Sequence, residues 1–444
     1  MINDLVSYLT HGFAEWLGEP PGATFDVQPG GELTVNIVRL TPEGQQLARH
    51  ALEAWSSVTG IRFSFVSHDD VHIMFDDNEE GAAAYSTFDG DTIISALIVI
   101  STEWLDTYGT SINSYSFTTY LHEIGHALGL GHPGPYNDED ADFLINTVSF
   151  YDSWQTTVMS YFDQTENIFT IADYAVPVTP MIADIMAIHA LYGEPDSVNG
   201  GNTRYGYKSN TGTYMDEFFR EWSAQSDTYF LGDEGALTIY DTGGIDWLDL
   251  RTDEYDQLID LNPESASDVT GLIGNLIIAH DTIIENVFAG YGDDWVVGNA
   301  ADNRLYGGYS GDDVLVGGHG NDTLWGYSGI DLLKGDAGND RLIGGLGDDT
   351  LVGGQGNDRF YFRPEDGIFE DKIIDFGYGD DVIDLRAFDT IHSVLDLGYY
   401  WYDETETDSL IDLTDHGGGW IILVDYTDSI HDSDFIFSDG GLIA

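Results

Sequence analysis

Apolar residues Ile2, Leu5, Val6, Leu9, Phe13 and Trp16 recur near helical spacing at the start of the chain, which predicts an amphipathic helix docked by one face. Four short β-rich runs follow: LTVNIV (33–38), IRFSFV (61–66), VHIMF (71–75) and ALIVIS (96–101). Between the first two, Thr41 can cap a helix, Pro42 suits its first position, and Leu47, Ala48, Ala51, Leu52, Trp55 and Val58 make one apolar stripe. A second helix is expected from about Ser116. A third is expected between Thr179–Pro180 and Gly193, with Met181, Ile185, Ile188 and Leu191 facing inward. This alternation predicts a sheet with helices packed on it. The turn-rich stretch EPDSVNGGN, starting at Glu194, marks the expected end of that domain near residue 195.

From Ala289 to Tyr361 the period shortens. Eight segments follow without a gap, seven of nine residues and one of ten, from AGYGDDWVV to GGQGNDRFY. Each alternates a six-residue glycine-rich turn with a three-residue strand whose middle position is apolar: Val296, Leu305, Leu315, Leu324, Leu333, Leu342, Leu351 and Phe360. A flexible acidic linker would have no reason to keep that position apolar. The pattern is the GGxGxDxUx nonapeptide of calcium-binding parallel β-rolls. A stack of single apolar residues is too thin a core to hold a coil alone. The sixth-position aspartates (seventh in the ten-residue repeat) Asp294, Asp313, Asp322, Asp331, Asp340, Asp349 and Asp358 supply hard oxygens, and glycine carbonyls can turn toward the same points. Six to eight oxygens at roughly 2.3–2.6 Å is the coordination calcium prefers. The second repeat has Asn303 instead, so a site there would be weaker or missing.

The charge changes the list of partners. Against 79 acidic residues stand 14 basic ones, a formal balance of −65, so nucleic acid and anionic lipid are excluded as partners. About eight calcium ions would offset only about 16 of those charges, and a saline habitat, where screening is strong, is the expectation for the remainder. Cysteine is absent, which removes disulfides and thiolate sites. The first residues have no basic n-region and no continuous apolar stretch, so no secretory signal peptide is expected there. No run of 18 apolar residues occurs, and membrane insertion is not expected.

The stretch LHEIGHALGLGHPG, Leu121 to Gly134, carries the candidate chemistry. On a helix, His122 and His126 share a face and can hold one ion while Glu123 projects beside them. Gly129 can end the helix with a left-handed turn that brings His132 round as a third ligand. Three nitrogens leave a fourth position for water, the open arrangement of a catalytic zinc. Glu123 is then the candidate base for a water attacking a carbonyl.

HEIGHALGLGHP resembles the metzincin pattern, and with GHPGPYN it resembles the serralysins, secreted bacterial metalloproteases that join a metzincin domain to an RTX calcium-binding β-roll. The likeness continues through ALEAWSSVTGIRFSFV, PMIADIMAIHALYG, DTGGIDWLDL and TIIENVFAGYGDD. It implies an α+β metzincin-like catalytic domain over 21–195, a twisted mostly parallel sheet with packed helices. An all-β parallel β-roll and β-sandwich domain over 196–444 would follow, its repeats at 289–361 and a β-rich secretion-signal region at 362–444. Residues 1–20 would be an N-terminal helix that includes a short propeptide. In TTVMSYF, Met159 matches the family's Met-turn floor beneath the metal, and Tyr161 matches a tyrosine that both ligates zinc and stabilises the tetrahedral intermediate.

For calcium, the resemblance implies Asp241, Gly243, Gly244, Asp246 and Glu285 before the roll. Within it, second- and fourth-position residues, the latter fifth in the ten-residue repeat, act through carbonyls: Gly290, Gly292, Gly308, Gly311, Gly318, Gly320, Asp336, Gly338, Gly345, Gly347, Gly354 and Gly356. The implied function is a secreted, monomeric zinc endopeptidase that cleaves proteins or peptides, leaves the cell through a type I exporter and meets a small protein inhibitor. The end DFIFSDGGLIA departs from the family's acidic residue followed by three bulky apolar ones, and YKSNTGTYMDEFF lacks an arginine found at an early calcium site. A second hypothesis is a non-catalytic, calcium-ordered RTX adhesive or surface module; a degenerate enzyme would be free to lose Glu123, which is intact. A calcium-roll lipase lacks its GxSxG motif.

Overall fold

Strands form where β-branched residues alternate with polar ones, and five of them build the first sheet: β1 (Glu32–Arg39), β2 (Arg62–Phe65), β3 (Ile73–Asp76), β4 (Ala82–Asp89) and β5 (Thr92–Ile100). In the computed structural model, which describes residues 2–137, 141–223, 234–401, 408–426 and 428–438, the sheet order is β2-β1-β3-β5-β4. All neighbours are parallel except β4, which runs antiparallel to β5 at the edge. Leu33, Val35 and Ile37 of β1 are buried on one face, as a period of two requires. The expected strands are present. β4 is an addition: its sequence AAAYSTFD is small and polar because an edge strand packs on one side only.

The chain divides into two compact units. The first comprises Met1–Thr203, Lys208–Gly244 and Leu272–Thr282; the second comprises Arg204–Tyr207, Ile245–Gly271 and Ile283–Ala444. The boundary expected at residue 195 therefore falls short of where the first unit ends, since two later segments pack into it.

In the first unit, the helix Pro42–Thr59 starts as expected, with Thr41 Oγ1 accepting from Gly44 N at 3.2 Å and the whole predicted stripe buried. Its Trp55 Nε1 donates to Leu121 O at 2.9 Å, which ties it to the helix Tyr115–Ala127. A third helix, Ile182–Tyr192, is capped by the Asp184 carboxylate accepting from Met181 N. The N-terminal segment is helical from Ile2 to Leu17 but contains a π-helical turn at Tyr8–Gly12. Leu5, Leu9 and Phe13 are buried as expected. Trp16 is half exposed instead, because the wider π turn rotates the residues after it relative to a regular helix.

In the second unit, the repeats wind as a coil whose strands alternate between two parallel sheets. Trp295–Val297, Val314–His319, Leu332–Ala337 and Thr350–Gln355 lie in one; Arg304–Gly308, Thr323–Ser328, Arg341–Leu346 and Arg359–Tyr361 lie in the other. Most strands run on into the next repeat's first residues, so they are longer than three. All eight inward positions, Val296 to Phe360, are fully buried. The chain's last residues, 439–444, which hold the end compared with an export signal, lie outside the described residues. Among the described residues no helix is long and apolar enough to cross a membrane.

Candidate metal centre

The helix Tyr115–Ala127 begins at Ser114, whose hydroxyl accepts from Phe117 N at 3.2 Å, and it presents His122 and His126 one turn apart. Gly129, at φ 98°, turns the chain back, and a β-carbon there would strike Ala23 O. That reversal delivers His132. The three imidazoles meet: His132 Nε2 lies 3.2 Å from His122 Nε2 and 3.0 Å from His126 Nε2.

What faces the other ring nitrogens decides the chemistry. His122 Nδ1 is 2.8 Å from Val158 O, His126 Nδ1 is 2.8 Å from Leu130 O, and His132 Nδ1 is 2.8 Å from Tyr136 O. A carbonyl only accepts, so each Nδ1 carries the proton and each Nε2 presents a lone pair. Burial drives the proton affinities down, to a pKa of about 4 for His122 and about 3 for His126, and well below the ordinary value for His132. Three unprotonated nitrogens converging at this distance repel one another unless a cation joins them. The set fits a transition-metal ion with N ligands, and it is the one cluster of three or more His, Cys, Asp or Glu suited to a metal among the described residues.

Glu123 sits beside the trio with Oε2 buried and unpartnered, and burial raises its pKa to about 8. Met159 is buried under the helix, and a β-carbon on Gly125 would meet its Sδ at 2.5 Å. The same turn supplies Val158 O to His122. Tyr161 is partly exposed, with its ring edge-on to His132 at 4.5 Å between centroids. His122, Glu123, His126 and Tyr161 line a cavity of about 530 Å³ together with Ala82–Ser86 of β4, and a second of about 540 Å³ beside His122, Glu123 and Tyr161 adds Trp104, Tyr115, Trp154 and Phe162.

Two buried aspartates hold this arrangement, and the sequence reading missed both. Asp184 accepts from Thr157 Oγ1 at 2.6 Å and from Val158 N and Met181 N at 2.8 Å, so it fixes the turn that carries Val158 and Met159 beside the histidines. Asp152 accepts from Ser160 Oγ at 2.6 Å and from Tyr136 OH at 3.0 Å. Tyr136 in turn stacks on His132 at 13° and 5.5 Å. Asp152 thereby links the third histidine's loop to the residue preceding Tyr161. Burial raises both carboxyls, Asp152 to about 6 and Asp184 to about 7. Only their place next to motif residues could have flagged them; the carbonyls of Val158, Leu130 and Tyr136 leave no mark in a sequence at all.

In the second unit, one oxygen of each sixth-position aspartate accepts a backbone N–H from the coil turn before, as in Asp313 N to Asp331 Oδ1 at 2.8 Å. The other oxygen, Oδ2 of Asp294, Asp313, Asp322, Asp331, Asp340, Asp349 and Asp358, is buried without any partner. Seven orphaned anionic oxygens in rows fit a divalent cation with oxygen ligands. Fourth-position glycines stack closely: a β-carbon on Gly329, Gly338, Gly347 or Gly356 would strike the carbonyl of Gly311, Gly320, Gly329 or Gly338 respectively. Asn303 breaks the row. Its Oδ1 accepts from Asn299 N and its Nδ2 donates to Glu285 O, so it offers no orphaned anionic oxygen. At position two, Asp336 adopts φ 67° with an exposed side chain, so only its carbonyl can face inward. Of the residues before the roll, Asp241 accepts from Gly243 N within the first unit, and Asp246 N donates to Glu285 Oε2 at 2.7 Å within the second.

Residues 32–149 match the Matrixin family model, and residues 196–410 match the model described as Peptidase M10 serralysin C terminal. The chain belongs to the serralysin-type metallopeptidases. It is 35% identical over 276 residues to the metallopeptidase AprA of Pseudomonas marginalis, covering 58% of this chain and 55% of that protein. It is 34% identical to the serralysin of Proteus mirabilis, over 58% of this chain and 54% of that protein, and 39% identical to the serralysin of Photorhabdus luminescens, over 44% and 38%. This serralysin-type chain thus spans about half the length of the curated relatives it matches. The solution structure of the AlgE6R3 subunit from the Azotobacter vinelandii mannuronan C5-epimerase aligns over 35% of this chain and 83% of its own at 26% identity, with a TM-score of 0.23 that is too low to inform the fold. Met159 and Tyr161 lie between the two matched stretches.

Proposed function

We propose that this serralysin-type chain is a zinc-dependent endopeptidase that acts outside the cell on protein or peptide substrates and is held folded by calcium. The observation that carries the proposal is the convergence of three Nε2 lone pairs, each fixed by a carbonyl behind its ring. A zinc ion held by His122, His126 and His132, with Tyr161 as a further ligand, supplies Lewis acidity that acidifies a water and polarises a carbonyl.

The chain's own residues do the remaining work. The exposed edge of β4 lines the cleft and can pair with an extended peptide through main-chain hydrogen bonds. Glu123 Oε2, made a better proton acceptor by burial, takes the proton of the attacking water and passes it to the departing amide nitrogen. The Tyr161 hydroxyl donates to the oxygen that gains charge. Met159 floors the site.

Calcium ligands are proposed at the seven orphaned aspartates and the stacked carbonyls beside them. Asp246 and Glu285 in the second unit, and Asp241, Gly243 and Gly244 in the first, are proposed from family position. Export through a type I machinery, recognition by a small inhibitor and a monomeric state belong to the same proposal.

The test is metal analysis of the purified full chain with casein hydrolysis before and after a zinc chelator. One bound zinc and chelator-sensitive cleavage are expected. A protein that takes up no transition metal, or cleaves equally without it, refutes the proposal.

A further inference from the structure

The first unit exposes an apolar surface that the chemistry above does not use. The helical turn Phe143–Asn146 keeps Phe143 inside and turns Leu144 and Ile145 outward, 71% and 78% exposed. Nearby Phe150, Ile168, Phe169 and Ile171 are also exposed, Ile171 to 84%. Single exposed apolar residues are ordinary, but a joined set marks an interaction surface. These are joined. Phe150 sits edge-on to Phe169 at 4.4 Å, Phe169 lies 6.2 Å from Phe143, and Phe143 meets Phe162 at 5.4 Å. Phe162 lines the cleft beside His122 and Tyr161. A continuous series of rings therefore leads from the cleft wall to the outer surface.

We propose that this lip, residues 143–171, docks an apolar segment of an unfolded polypeptide whose scissile bond lies in the cleft. The inference rests on the peptidase reading for the cleft. Charge selects the occupant. A second copy of a chain carrying −65, or an anionic bilayer, is repelled at close approach even where salt screens longer distances. Asp142, Asp163, Glu166 and Asp173 are interspersed with the apolar residues, so the fitting segment mixes apolar side chains with lysine or arginine. Folded proteins bury their apolar stretches, and unfolded ones present them. The lip would then favour unfolded chains over short peptides, through affinity rather than turnover.

The test uses the full chain carrying Glu123→Gln, with fluorescence anisotropy of two labelled probes. One is an eight-residue peptide that fills the cleft alone; the other is the same peptide extended at both ends by leucine, phenylalanine and lysine residues. Adding Ile145→Ser, Ile168→Ser and Ile171→Ser should raise the long probe's Kd about tenfold and lower the long-to-short affinity ratio by the same factor. An unchanged ratio overturns the proposal. So does a sedimentation result in which the parent protein is a dimer that the triple variant dissolves, because the occupant is then a second copy. If the zinc-loaded chain with Glu123 intact cleaves neither probe while the ratio still falls, the lip stands and the peptidase reading fails.

Discussion

The two units hold buried charge in opposite ways. Around the histidines of the first, the structural carboxylates are answered from within the protein: Asp184 takes three hydrogen bonds and Asp152 is shared by a serine and a tyrosine. Along the coil of the second, seven aspartates each bury an oxygen that no protein group answers. A core several layers deep can satisfy its polar groups with its own hydrogen bonds, whereas a core one side chain deep cannot. The difference separates a cluster of neutral imidazole nitrogens, suited to a reacting metal, from rows of bare carboxylate oxygens, suited to a structural one.

The strongest way to break that contrast is to remove calcium alone with a selective chelator. Hydrogen exchange should then show the second unit losing protection while the sheet β1–β5 keeps it; at a ligand concentration one hundred times Kd, each filled site contributes about 2.7 kcal/mol. Equal protection with and without calcium would erase the distinction. Next in size, Glu123→Gln should lower kcat by roughly 10²–10⁴-fold while zinc content measured on the same sample stays at its original level.

Acidity sharpens the comparison further. Without calcium, burial holds the coil's carboxyls high, at about 8 for Asp294 and Asp331, about 7 for Asp313 and Asp322, and about 6 for Asp340, Asp349 and Asp358, against an ordinary 3.8. The folded coil thus binds protons that the unfolded chain has released. Its calcium-free stability should be greatest below about pH 4 and fall as pH rises through 6 to 8, a trend that saturating calcium abolishes. Thermal melts at pH 5 and pH 8 would read it.

Smaller effects distinguish the two kinds of support. Asp152→Ala leaves Tyr136 OH and Ser160 Oγ without their acceptor and should cost the first unit about 1–3 kcal/mol whatever the calcium level, by denaturant titration. Asp336→Gly should instead stabilise the calcium-loaded second unit by up to about 1 kcal/mol, because its backbone sits at φ 67° where a β-carbon is unwelcome. A loss of stability there would mean that the side chain matters.

Much of this was legible from residue order. The stripe from Leu47 to Val58, the helix-ending Gly129 and the eighth-position apolar residues each declare themselves by spacing, because backbone geometry ties those spacings to a face or a turn. Other parts were not. β4 has too little apolar character to register, since its side chains are half in water, and the π turn that exposes Trp16 depends on what the helix packs against. The carbonyls of Val158, Leu130 and Tyr136 orient all three histidines, yet any residue type could have offered them. Asp152 and Asp184 act across loops whose closure a linear pattern does not encode.

The alternation of strands between two sheets has an arithmetic consequence. In the regular part of the coil, pairing partners differ by 18 positions, as in Val314 with Leu332, while across the ten-residue repeat they differ by 19, as in Leu305 with Leu324. The odd residue is accommodated in a bend and never in a rung. Losing one nonapeptide would send every later rung to the opposite wall, whereas losing two would leave each on its own. Lineages of such coils should therefore grow and shrink in pairs.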